Sequence, residues 1–171
     1  KMDGSDTLFT LAVPGLEATE QRNDAGDFVQ LQIPDSGWIM ETGSPQVPAV
    51  RKNFIVPADA QVRLEITVDR YVELNELNVW PAQPSYKRSA EQPPFALNSK
   101  RYETDAMYPM EWGRISDDGW MRDFRYVTVE LNPVRVNPVT GEALVAAEMT
   151  VNLISDGGDK LINDPVFPSF H

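Results

Sequence analysis

With 171 residues, 42% of them hydrophobic, and no cysteine, the chain is long enough to bury a core unaided, and disulfides, thiolate nucleophiles and cysteine-ligated metals are excluded. Its net charge of −11, from 26 acidic residues against 15 basic ones, argues against nucleic acid and against anionic membranes as partners, since both select a basic face. No stretch approaches the roughly 18 apolar residues of a membrane span.

The first residues, Lys1 to Asp6, read as an appended or processed end, and no signal peptide is visible. Asp27 to Ile33 then alternates, with Val29, Leu31 and Ile33 on one side. Gly43, Pro45 and Pro48 set a turn before the next strand. Gln61 to Val68 alternates cleanly, so Val62, Leu64, Ile66 and Val68 face a core. About 81–123 reads as one long connection rich in proline and aromatic residues, too long to be idle inside a compact domain. Within it Tyr102, Tyr108, Trp112 and Trp120 predict an ordered second half, and Asp117-Asp118-Gly119 predicts a turn.

Arg125 to Leu131 alternates through Val127, Val129 and Leu131, and Ala143 to Ile154 through Met149, Val151 and Leu153. Asn137-Pro138-Val139-Thr140-Gly141 is a turn between them, which predicts one antiparallel hairpin over Tyr126–Leu153, at an edge or bulged where Pro133 interrupts it. The class is therefore all-β and antiparallel. One β domain is expected over 7–160, preceded by the 1–6 end and followed by the start of a linker over 161–171.

Catalysis finds little support. The one histidine is His171, the last residue, so nucleophile–histidine pairs cannot be assembled inside the domain. Asp156-Gly157-Gly158-Asp159 is a second acidic cluster with turn chemistry and without EF-hand spacing. No cofactor and no metal site is expected.

Four ordered pieces carry a resemblance. They are Gly43-Ser44-Pro45-Gln46-Val47-Pro48-Ala49-Val50 with Phe54-Ile55-Val56-Pro57; Val62–Val68 leading to Asn78-Val79-Trp80-Pro81-Ala82-Gln83-Pro84; the aromatic segment of Tyr102, Tyr108-Pro109 and Trp112; and Arg125 through Leu144. Together they resemble the N-terminal prodomain of gingipain-type cysteine peptidases. The resemblance implies a β-sandwich or half-barrel, and a non-catalytic, exported bacterial domain that assists folding of a downstream catalytic domain and keeps it inactive. The partner would be that catalytic domain, and the location the periplasm, cell surface or exterior. Phe167-Pro168-Ser169-Phe170 would begin the segment leading to the junction, which is expected beyond residue 171 because no Lys or Arg follows Lys160.

The resemblance also implies a basic residue on a long loop that fills an acidic specificity pocket. Counting from Pro81 without a gap, Arg88 takes that place. Ser89 and Ala90 separate it from Glu91, however, where the family pattern has one small residue, and a one-residue shift puts Lys87 or Ser89 there instead. Tyr86, Trp112 and Trp120 are candidate interface aromatics. Trp112 and Trp120, with Tyr102 and Tyr108, equally suit a minor core, which is the preferred reading. A competing function is a non-catalytic adhesion or carbohydrate-binding β-sandwich.

Overall fold

The computed structural model describes residues 6–157. The alternating segments become strands, and the elements run β1 (Thr7–Ala12), β2 (Glu17–Asn23), β3 (Gly26–Gln32), β4 (Gly37–Trp38), β5 (Pro48–Val56), β6 (Gln61–Leu74), α1 (Ser99–Tyr102), β7 (Gly113–Met121), β8 (Phe124–Leu131), β9 (Val134–Val136) and β10 (Ala143–Asp156). One antiparallel sheet has the order β1-β10-β6, with β9 beside the first residues of β10. The other has the order β4-β5-β8-β7, and β2-β3 form a separate hairpin. No strand pairing joins the two larger sheets among the described residues, so the layers form an open sandwich and not a closed barrel.

Period-two alternation puts every second side chain between the layers. Val127, Val129 and Leu131 of β8 meet Met149, Val151 and Leu153 of β10, all at most 1% exposed. Val62, Leu64, Ile66 and Val68 of β6 and Phe9 and Leu11 of β1 close the sides. Burying each such aliphatic side chain contributes roughly 1.5–3 kcal/mol before chain entropy is subtracted. A second core gathers Leu31, Ile33, Val47, Val79, Tyr108, Val134, Val136, Ala143 and Val145. It lies under the long connection and holds that connection to the sandwich.

Three expectations change. The Tyr126–Leu153 hairpin does not form: β8 pairs with β5 and β7 instead. Pro133 has no N–H to continue a ladder. The chain therefore leaves one sheet after Leu131 and re-enters the other as β9, with the Pro133 carbonyl accepting from Ala146 N at 2.8 Å. Of the expected hairpin only the β9–β10 part forms, around the expected turn: the Asn137 side chain accepts from Val139 N and Thr140 N, and Gly141 has φ +74°.

The long connection is also shorter than about 81–123, because Gly113–Met121 is strand β7. An edge strand with polar residues on its open side need not alternate. Asp117-Asp118-Gly119 accordingly lies inside β7, after a bulge between Ile115 and Asp117. Its acids have partners on β8: Tyr126 Oη donates to Asp117 at 2.9 Å, and Asp118 pairs with Arg125 at 2.7 Å. A Cβ at Gly119 would stand 2.9 Å from Tyr126 Oη, so a larger residue there would push the Tyr126 ring aside. The hairpin turn falls after Met121, where Arg122 has φ 56°. The Asp156–Asp159 cluster begins at the end of β10, but Gly158 and Asp159 lie outside the described residues, as do residues 1–5, Phe167–Phe170 and His171.

What remains of the connection, between β6 and β7, is bonded to the rest of the chain over most of its length. Gly43 N donates to Ala82 O, Ala82 N to Ser44 O, Gln46 N to Trp80 O and Asn98 N to Gly43 O, at 2.7–2.9 Å. Two of the resembling sequence pieces thus hold each other. Gly43 has φ +81°, and a Cβ on it would lie 2.8 Å from Asn98 N. Gly43→Ala is expected to cost about 2 kcal/mol, from left-handed strain plus a backbone overlap. Urea denaturation checks this: the midpoint should fall at unchanged slope.

Candidate functional site

The segment Ser85–Gln92 is exposed at every residue and projects from a closed stem. Gln83 closes the stem. Its Nε2 donates to Pro81 O at 3.1 Å and to Ala96 O at 2.9 Å, while its Oε1 accepts from Ala96 N at 3.0 Å. Beside this clamp Phe95 packs on Trp80 (centroids 5.2 Å) and Phe28 (5.9 Å), and Phe28 meets the Trp80 ring edge-on at 5.5 Å. After the stem, Asn98 caps α1 by accepting from Arg101 N at 3.2 Å.

At the tip, Ala90 N donates to Lys87 O at 2.8 Å. Arg88 and Ser89 therefore occupy the centre of a four-residue turn. Neither Lys87 nor Arg88 has an ion-pair or hydrogen-bond partner for its side chain among the described residues. A guanidinium offers five donors in a planar fork suited to a carboxylate, and the Arg88 fork is uncommitted. The loop thus presents Tyr86, Lys87, Arg88 and Ser89 together on one exposed tip, with Tyr86 at 52% exposure.

The remaining aromatics part company. Tyr108 is buried, donates to Glu41 Oε2 at 2.7 Å and lies under the Arg101 guanidinium, 4.5 Å from the ring centroid. Tyr102 donates to Val79 O. Desolvation by burial holds both phenols above their ordinary pKa, so both stay protonated donors. Trp112 packs against the main core under Arg135, 5.1 Å from the ring centroid. Tyr108 and Trp112 pack with the two cores and Tyr102 is half-buried, so all three are drawn in from solvent. Trp120 is not: it stands 59% exposed on β7, near Ile55 at 67% and Met121 at 66%, which returns it to the candidate interface residues. Gln83 is the residue that sequence reasoning missed. It stands within a resembling string, but a glutamine between alanine and proline carries no chemical signal until its partner Ala96 is known.

A family model described as Propeptide_C25 matches residues 5–161. Lys-gingipain HG66 of Porphyromonas gingivalis is 29% identical over 159 residues, covering 89% of this chain and 9% of that protein. Gingipain R1 of the same organism is 23% identical over 168 residues, covering 86% of this chain and 17% of that protein. The chain thus spans less than a fifth of the length of these relatives. Among solved structures, the complex of Porphyromonas gingivalis RgpB pro- and mature domains matches with a TM-score of 0.82 at 21% identity, over 92% of this chain and 84% of that one. The structure addressing zymogenic latency of gingipain K, from the same organism, matches with a TM-score of 0.75 at 24% identity, over 91% and 90%. These two share the fold. With the family model spanning nearly the whole chain, and the ordered sequence pieces holding one another in an open β-sandwich, the chain belongs to the Propeptide_C25 family as a gingipain-type propeptide.

Proposed function

We propose that this chain is the inhibitory and folding-assisting prodomain of an exported bacterial cysteine peptidase of gingipain type, and that its Arg88 occupies the specificity pocket of the catalytic domain made in the same precursor. The observation that carries the reading is the uncommitted Arg88 at the apex of a loop whose stem is fixed. A free loop would spend ordering entropy on binding; a loop clamped at its base has spent much of it on folding. Lys87 and Ser89, on the same turn, are the alternatives for the pocket, and Tyr86 and Trp120 are the exposed aromatics available to the surrounding interface. The β domain is assigned to 7–160, with 161–171 opening the linker, which the family match ending at residue 161 supports.

The test is to mix the purified chain with its catalytic domain and titrate residual peptidase activity, for the wild type and for Arg88→Ala. Inhibition lost on substitution supports both the role and the residue. Inhibition that survives keeps the role and moves the pocket residue to Lys87 or Ser89. Absence of inhibition at micromolar excess overturns the inhibitory reading.

Folding assistance has its own check. Refolding yield of the denatured catalytic domain should rise several-fold when the chain is supplied in trans, and Arg88→Ala should retain that gain, because one exposed loop residue leaves the sandwich surfaces intact.

A further inference from the structure

An exposed dibasic tip is a preferred site of proteolytic nicking, and Arg88 invites this from any peptidase that accepts arginine. We infer that the Gln83 clamp is what keeps the Arg88 loop an inhibitor instead of a substrate; this deepens, and rests on, the assignment of Arg88 to the pocket. Hydrolysis at the tip adds water across the bond between the Arg88 carbonyl carbon and the Ser89 nitrogen, leaving a carboxylate and an amine. For that, the chain on both sides of the bond must be drawn out along the enzyme. In this structure the bond is the middle one of the Lys87–Ala90 turn, closed by the 2.8 Å Ala90 N to Lys87 O hydrogen bond. The side chain is presented while the bond is withheld.

The turn alone is one hydrogen bond in solvent and opens readily. The stem supplies the restraint. The Gln83 amide bonds both the N–H and the C=O of Ala96, as a neighbouring strand would, and its second N–H holds Pro81 O. The two ends of the loop are thereby tied at one point, next to the Phe95–Trp80–Phe28 cluster. Drawing the loop into an extended strand requires the ends to separate, so the clamp must break first. Cleavage then follows the population of the opened loop. Gln83 acts through the loop's shape, as a positioning residue.

The experiment uses trypsin, which cleaves after lysine and arginine, on the whole chain, with mass spectrometry separating cleavage after Arg88 from cleavage after Lys87 and following, as an internal control, cleavage after Arg122 at the β7–β8 tip. Gln83→Leu preserves size and removes every clamp bond. It is expected to accelerate cleavage after Arg88 about tenfold, from the loss of clamp hydrogen bonds, with cleavage after Arg122 unchanged. Gln83→Glu keeps the acceptor for Ala96 N, loses both donors and should fall between. Against the catalytic domain, Gln83→Leu should inhibit on mixing as tightly as the wild type and lose inhibition with time, whereas Arg88→Ala should be the weaker inhibitor from the outset and stay constant. Equal trypsin rates after Arg88 for wild type and both variants overturn the inference. So does acceleration at Arg122 as large as at Arg88 in both variants, which would mark Gln83 as a general structural residue. A wild-type chain that fails to inhibit the catalytic domain overturns the functional reading instead, and is told apart by the trypsin rates, which need no catalytic domain.

Discussion

Arg88→Ala is expected to weaken inhibition of the cognate catalytic domain by about thirtyfold or more, the equivalent of a hot spot of about 2 kcal/mol. The size follows from what Arg88 does in the free chain, which is nothing: it contacts no acid and no carbonyl among the described residues. Removing its side chain breaks no hydrogen bond or ion pair among the described residues. The change in the inhibition constant therefore reports the interface and not a reorganised loop. Arg88→Lys should recover part of the loss, since an ammonium supplies the charge without the planar fork. Lys87→Ala and Ser89→Ala should each cost less than about threefold, as rim contacts do. A loss concentrated at Lys87 instead would mean that the pocket residue is shifted by one position, as the spacing before Glu91 allows.

Strands buried on one face were legible in the sequence, and strands without such a face were not. Val62–Val68, Val127–Leu131 and Met149–Leu153 alternate because each lays every second side chain into the main core. The edge strand Gly113–Met121 has only Ile115 packed against that core, so its sequence resembles a loop. β2 is similarly silent, being exposed along most of its length. Pro133 marks an interruption, but the edge or bulge expected from it does not form, since local sequence cannot say whether a proline bulges an arm or sends it to the other sheet; that is decided by β5 and β7 taking both sides of β8. The candidate site divides in the same way. The basic tip is local and was legible through the resemblance. The clamp joins Gln83 to Ala96 across the whole loop, and no pattern of neighbours announces it. Trp120 shows a third limit: its composition suits a core or an interface equally, and only its position on an edge strand decides.

Simultaneous loss of Arg51 and Arg114 is expected to destabilise the fold by about 3 kcal/mol, more than the sum of the two single losses. Arg51 of β5, Glu130 of β8 and Arg114 of β7 stand in register across three strands. The Glu130 side chain is 4% exposed, and each of its oxygens is taken by a different arginine: Oε2 by Arg51 Nη2 at 2.8 Å and Oε1 by Arg114 Nε at 3.1 Å. The arginines are 43% and 63% exposed, so solvent screens each pair, and either single alanine substitution should cost only about 1 kcal/mol. The remaining arginine still compensates the carboxylate. With both gone, a buried carboxylate has no partner, and its desolvation is no longer offset. Glu130→Gln should cost less than the double change, because it leaves the uncompensated charge on arginines that water can reach. Urea denaturation of the wild type, both single variants and the double variant measures the coupling directly. Additivity within about 0.5 kcal/mol would show the two pairs to be independent, and the carboxylate to be solvated in some other way. A large coupling would identify the Arg51–Glu130–Arg114 row as a polar tie across the β4-β5-β8-β7 sheet. That tie does not involve the Arg88 loop, so the variants that test the fold and those that test inhibition should separate cleanly.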